Sequence, residues 1–296
     1  MLNKINFFLQ KYPFYASTLL TLVVIILSLL LSFFVPTLRK IMLEDLQLNF
    51  IIFLTVYFLL MLIRSGLLLF VIVPYIIHLP HGKKTLREYI RDIKLVNIHP
   101  LARNVLIGLL AVTILKVLLE IFPLLNGTLE INLNSILGAP QEGLNNEPDQ
   151  LGWFSFFIYF VPSFFEEVLH RGIILTLLLN KYSQRKALVY SSLIFGLAHL
   201  SGLFFHQDLV YAVYQVIFTT AFGLAAGYIF IKTDSLLPPI IFHYFNNLLA
   251  RMIHWSTEEL LWLHQLNTIV AYAIFVVIII IITNKIIKGK NTLQYT

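Results

Sequence analysis

The sequence contains no cysteine, and only 12% of its 296 residues are charged. The first absence removes a disulfide framework and any thiolate-held metal. The second removes an ordinary soluble domain, in which about a quarter of residues carry charge. What the chain has instead is apolar residues, 58% of the total, gathered in blocks. Residues 15–34, YASTLLTLVVIILSLLLSFF, hold no charged side chain, and about 20 such residues cross a bilayer. VVIIIIIT near the C-terminus is similar. The composition is that of an all-α, polytopic membrane protein.

Lys4 and Lys11 precede the first apolar run, as in a signal peptide, but SFFVPTLRK after it offers no small-residue cleavage site. It reads as a retained first span. The net charge of +6 does not call for nucleic acid, because cytoplasmic loops of membrane proteins collect Lys and Arg.

Apolar runs separated by polar stretches predict about eight transmembrane helices, at 15–34, 50–77, 105–125, 152–179, 187–205, 209–231, 236–255 and 262–283. Three regions follow. Residues 1–149 hold about three spans and a surface amphipathic helix, 150–255 a core of about four spans, and 256–296 the last span and a basic tail. HGKKTLREYIRDIKLVNIHPLAR, residues 81–103, is the most basic loop and is expected on the cytoplasmic side. Alternation then puts both termini inside, together with Lys181, Arg185, Lys186 and Lys232. The loop 126–150, free of Lys and Arg, falls outside. Arg39 and Lys40 are the exceptions to the charge rule. LREYIRDIKLV has helical amphipathicity and is expected to lie along the membrane as an anionic-lipid anchor.

An ionised side chain near the bilayer centre costs at least about 2.5–3.5 kcal/mol, so polar groups inside the apolar runs need partners, water or a function. Three clusters stand out. In EEVLHR, Glu167 and Arg171 are one helical turn apart and suited to pairing, which leaves Glu166 free for chemistry. A carboxylate in apolar, like-charged surroundings suits a general base, while the bland alternative is a polar helix end. In FGLAHLSG, His199 is either an interhelical hydrogen bond or part of a site. In PPIIFHYFNN, His243 and Asn247 share a face and could donate to an oxyanion or simply hold two helices together.

Taken together, EExxxR (Glu166, Glu167, Arg171), FxxxH (Phe195, His199) and HxxxN (His243, Asn247) resemble the CPBP family of intramembrane proteases. That family includes the type II CAAX prenyl endopeptidases and the Abi, or bacteriocin-immunity-type, proteins. The resemblance covers roughly residues 150–255, with no departure at the motif positions. It implies an intramembrane endopeptidase in which Glu166 activates a water and His199 helps to hold it. His243 and Asn247 would stabilise the oxyanion, and Glu167 and Arg171 would orient the site. His170 falls at a variable position and receives no role. The cofactor is either none or a divalent metal such as zinc, held if present by Glu166, His199 and His243. The chain lacks HExxH, the spacing that sets two imidazoles on one helical face, which favours a water held directly.

The expected partners are a membrane-associated peptide or protein substrate and the lipid bilayer, with no nucleic acid. The substrate's identity is left open; the low-cysteine, Ile- and Asn-rich composition looks bacterial, a hint against a prenylated protein. The alternatives from other classes are a non-catalytic immunity or scaffold protein and a proton-coupled transporter, the latter without the paired inverted repeat such proteins carry. Elsewhere, Lys116 and Glu120 are expected to pair, Arg64 to seek head groups or a carboxylate, and Arg251 and His254 to anchor at the interface.

Overall fold

Backbone groups in a bilayer must be satisfied within the chain, so apolar runs of this length become helices. The computed structural model describes residues 2–143, 149–206, 208–255 and 261–288. Its first helices are α1 (Leu2–Lys11), α2 (Pro13–Arg39), α3 (Phe50–Leu67), α4 (Leu86–Asp92), α5 (Leu101–Asn126) and α6 (Asn134–Leu137). The functional half follows with α7 (Ser155–Glu167), α8 (Thr176–Leu179), α9 (Gln184–Ala198), α10 (Leu203–His206), α11 (Leu209–Thr233), α12 (Leu237–Met252) and α13 (Leu261–Lys288). Three helices run on into π-helical turns. α2 continues through Lys40–Asp45 and α3 through Leu68–Ile77, while Val168–Leu175 joins α7 to α8.

Local chemistry sets the ends. Pro13 opens α2, and Pro238 and Pro239 open α12, where a missing N–H costs nothing. The side chains of Asn49 and Asp208 accept from Ile51 and Tyr211 to cap α3 and α11. Gly127, at φ 76°, closes α5 in the left-handed region that glycine tolerates.

Among the described residues, five helical segments are long and apolar enough to cross a membrane: Pro13–Asp45, Phe50–Ile77, Leu101–Asn126, Leu209–Thr233 and Trp262–Ile287. The other three expected spans are helical but differ in kind. Residues 155–179 form a continuous helix interrupted by Glu166, Glu167 and Arg171. α9 and α12 have 15 and 16 residues, short of the roughly 20 that a span takes. The helices that carry the motifs are therefore the polar or short ones, packed among the long apolar ones.

The loops sort to two ends. At one, Lys181 Nζ donates to the Lys11 carbonyl (2.8 Å), Asn180 bonds His81 (3.0 Å), Gln10 donates to the His78 carbonyl, and Lys94 pairs with Asp234. Tyr228 ties the last turns of α13 to this end through Asn284 (2.7 Å). At the other end, β1 (Leu129–Ile131) pairs antiparallel with β2 (Ile253–Trp255). There Arg39 pairs with Asp149 and with Glu142, and Arg251 donates to the Asp149 carbonyl. Arg39 is thus neutralised by the acidic loop. Lys290 and the side chains of His254 and Lys288 lie outside the described residues.

α4 carries a capping box in which the Thr85 N–H and hydroxyl donate to Glu88, holding that carboxyl below its usual range. Its apolar residues divide between the bundle and the surface, where Leu86 is exposed. Tyr89 and Ile93 are buried, and the Tyr89 hydroxyl donates to the Leu69 carbonyl at 2.6 Å. The bundle takes Tyr89 and Ile93 from the amphipathic stripe.

Among the described residues two large apolar cores result, beside a smaller one around Phe53, Leu54 and Phe154. One gathers residues of α1, α2, α4, α8 and the π turns of the third and seventh helices around Val73, Ile93, Val168 and Ile174. The other gathers α5, α9, α11, α12 and α13 around Leu115, Phe222, Phe242 and Phe275. The polar motifs lie where the two meet.

Candidate active site

Pro162 sits one turn before Glu166 and cannot donate to the carbonyl four residues back, which loosens α7 at that point. The π-helical turn begins at Val168, directly after the two glutamates. Such turns recur at functional sites because they re-aim side chains within one helix. The adjacent carboxylates, at the end of α7, point about 100° apart as successive residues of a helix do. Glu166 keeps 37% of its side-chain surface, whereas Glu167 keeps none.

Glu167 is the fixed point of the site. Its Oε1 accepts from Arg171 Nη1 at 2.8 Å and faces His243 Nδ1, also at 2.8 Å. A carboxylate already receiving a guanidinium accepts again, so His243 Nδ1 is the donor and the ring's Nε2 is left free. That Nε2 lies 3.9 Å from Glu166 Oε2, beyond a direct hydrogen bond. Arg171, 1% exposed, also donates to the Gly223 carbonyl and stacks over the Phe195 ring at 4.5 Å.

Phe195 is the hub of the aromatic wall. Its ring meets His199 and His170 edge-on at 4.9 Å each and His243 at 6.2 Å. Its carbonyl bonds His199 Nδ1 at 2.9 Å. A carbonyl can only accept, so His199 also donates from Nδ1 and keeps Nε2 for the site. Gly196 permits this placement, because a Cβ there would lie 2.0 Å from Thr220 Oγ1 on α11. The FxxxH spacing has a direct reading: one helical turn sets the ring against the arginine and the imidazole against the ring's own carbonyl. Phe222 stacks on Phe242 at 4.4 Å and meets the His243 ring at 4.9 Å, closing the other side.

Glu166, His199, His243 and Asn247 line one cavity of about 210 Å³. Glu167 and Arg171 stand behind it, and all six residues singled out from sequence are gathered in this region. Asn247 Nδ2 donates to Ser163 Oγ at 3.2 Å, which fixes the amide across α7 and α12. His170 turns away, buried against Phe195 with Nδ1 unpartnered among the described residues. Sequence reasoning missed three contributors: Ser163, Gln215 and Asn246. Gln215 Oε1 and Asn246 Oδ1 are buried without a partner among the described residues and belong to the cavity wall. A polar residue inside an apolar run and an Asn–Asn pair were the available signals.

The donor set of one carboxylate and two imidazole Nε2 atoms is chemically suited to zinc. The spacing is not. Among the described residues no three His, Asp or Glu side chains are grouped closely enough to hold a metal ion. As arranged, Glu166, His199 and His243 share a cavity without forming a metal centre.

Residues 148–249 match the family model described as Type II CAAX prenyl endopeptidase Rce1-like. This segment is Rce1-like. It contains every motif residue from Glu166 to Asn247 and coincides with the CPBP resemblance read from the motifs. No curated protein and no solved structure matched the chain. The Rce1-like segment accounts for the short and polar helices α7, α9 and α12 as well as α11, whereas α2, α3, α5 and α13 lie outside it and supply much of the apolar packing. Arg251, which ties α12 to the 149–150 loop, falls just beyond the match.

Proposed function

We propose that the chain is an intramembrane endopeptidase that hydrolyses a peptide bond in a membrane-associated protein or peptide, with Glu166 activating the water. The observation that carries this reading is one polar cavity, enclosed in an apolar bundle, with a free carboxylate, two free imidazole nitrogens and an amide on its wall. Glu166 takes a proton from the water as it attacks the carbonyl carbon. The tetrahedral oxyanion is met by Asn247 and His243, and Glu166 returns the proton to the departing amine. No serine, cysteine or threonine nucleophile is required.

The hydrogen bonds divide the two imidazoles. His199, with Nδ1 tied to a carbonyl, offers Nε2 as an acceptor that holds the water's second proton. His243 offers Nε2 to an oxyanion only as an imidazolium, and Glu167 is placed to stabilise that charge, as the buried carboxylate of a catalytic triad does. Asn247 is the donor at every pH. Asn247→Ala is therefore expected to lower kcat by about 10²–10³-fold with little change in KM, the loss typical of one oxyanion donor. A loss confined to KM in steady-state kinetics would place Asn247 in substrate binding instead.

The protein is placed in the cell membrane as a multi-pass protein. The end that carries Lys11, Lys94 and Lys181 faces the cytoplasm, as do both termini, since Lys and Arg collect there. The test of the mechanism is cleavage by purified protein in liposomes before and after exhaustive chelation. New peptide termini should appear and persist without metal. Loss of cleavage that zinc restores would overturn the directly held water.

A further inference from the structure

Glu166 borders a second cavity, of about 90 Å³, on the side of α7 away from the histidines. It lies between α2, α3 with its π turn, and α7. Leu27, Met61 and Leu68 make its walls apolar, and Arg64, midway along the Phe50–Ile77 span, is its one cation. Arg64 donates to Ser28 Oγ at 3.0 Å and to Ser65 Oγ at 3.2 Å. Both acceptors are neutral. Among the described residues no carboxylate comes within ion-pairing distance of Arg64, although Glu166 is near enough for the charges to interact. A guanidinium kept at membrane depth with no directly paired anion marks a place for a ligand's charge.

We infer that this cavity is a substrate subsite for a carboxylate-bearing residue, Arg64 binding the carboxylate while the adjoining peptide bond reaches Glu166 in the neighbouring cavity. The inference rests on the endopeptidase reading. Charge complementarity and the shared wall identify the occupant: an apolar segment that brings its own anion, with room on the scale of one side chain. Ser28 and Ser65 hold the guanidinium fork toward that anion, and arginine suits the task because it presents paired donors to a carboxylate. The carboxylate is either a free C-terminus or an acidic side chain, which have the same chemistry at this site.

Binding of a dansylated Leu-Val-Ile-Leu peptide to the full-length protein in nanodiscs tests the subsite. The peptide is used as its free acid, as its C-terminal amide, and as an amide with Asp in the last position. The wild-type protein should bind at least one carboxylate form about tenfold more tightly than the neutral amide, the scale of one charged hydrogen-bonded contact. Arg64→Met should bind all three alike, and Arg64→Lys should retain part of the preference. A preference for the free acid alone assigns a C-terminus, and one for the Asp peptide assigns a side chain. Equal binding of acid and amide by the wild type would overturn the inference, and so would a preference that survives in Arg64→Met. Cleavage followed in the same samples separates the two proposals. Selective binding without cleavage leaves the subsite standing and contradicts the endopeptidase reading. Cleavage of all three peptides that falls equally in Arg64→Met assigns Arg64 to Glu166 and overturns the subsite.

Discussion

Glu166→Gln is expected to lower kcat by about 10²–10⁴-fold or more, the contribution of a positioned general base, while the protein melts as the wild type does. Both halves of that result follow from the geometry. The Glu166 carboxylate faces the cavity with His243 Nε2 at 3.9 Å and over a third of its side chain exposed. Replacing it with an amide of the same shape strands no buried partner, so the stability change should stay within about 0.5 kcal/mol. Activity and stability measured on one detergent-solubilised preparation check it. Wild-type cleavage by the Gln variant would remove Glu166 from the chemistry, and a large drop in melting temperature would mean that it is structural.

The largest effect on stability is expected at Arg171. Arg171→Met leaves Glu167, fully buried, with His243 as its one remaining partner among the described residues and uncovers the Gly223 carbonyl. Breaking a buried pair from one side costs about 3–5 kcal/mol, because the surviving charge is left uncompensated. Activity should fall as well, since Glu167 orients His243. The double variant Arg171→Met, Glu167→Gln should recover part of the lost stability without recovering activity, as removal of both charges lifts the desolvation penalty. Denaturant or thermal melting of the three variants decides this. If the single variant is as stable as the wild type, Glu167 is not held by Arg171.

The contrast between these glutamates was half legible in the sequence. Glu167 and Arg171 stand four apart, a spacing that pairs them on any helix, and their contact is local. The bond from His243 to the same oxygen joins residues 76 apart in sequence, and no helical periodicity announces it. Nor did periodicity announce the π-helical turn that begins at Val168, since a helix's apolar spacing looks much the same with one residue per turn more. The motifs named His199, but the reason for the phenylalanine four residues earlier lies in its ring, which packs against Arg171, His170, His199 and His243.

The helical architecture was readable from the long apolar runs, because the bilayer leaves them little choice. The helices that carry the motifs were harder to read as spans, for α9 and α12 are short and the 155–179 helix is charged at its middle. Arg39 looked like a violation of the loop-charge rule. Its partners, Glu142 and Asp149, lie more than a hundred residues away, and such pairings arise only from the tertiary arrangement. Gln215 and Asn246 were passed over because a single amide in an apolar helix is common interhelical bonding. Only their unpartnered oxygens on the cavity wall set them apart.

The most direct measurement is a comparison of protein termini in membranes from cells that carry either the wild-type chain or Glu166→Gln at equal abundance. If Glu166 is the base of an intramembrane endopeptidase, one or a few membrane-associated proteins will accumulate uncut in the variant, and their new termini will be found only with the wild type. Identical sets of termini, with the two proteins equally folded and equally abundant, would contradict it.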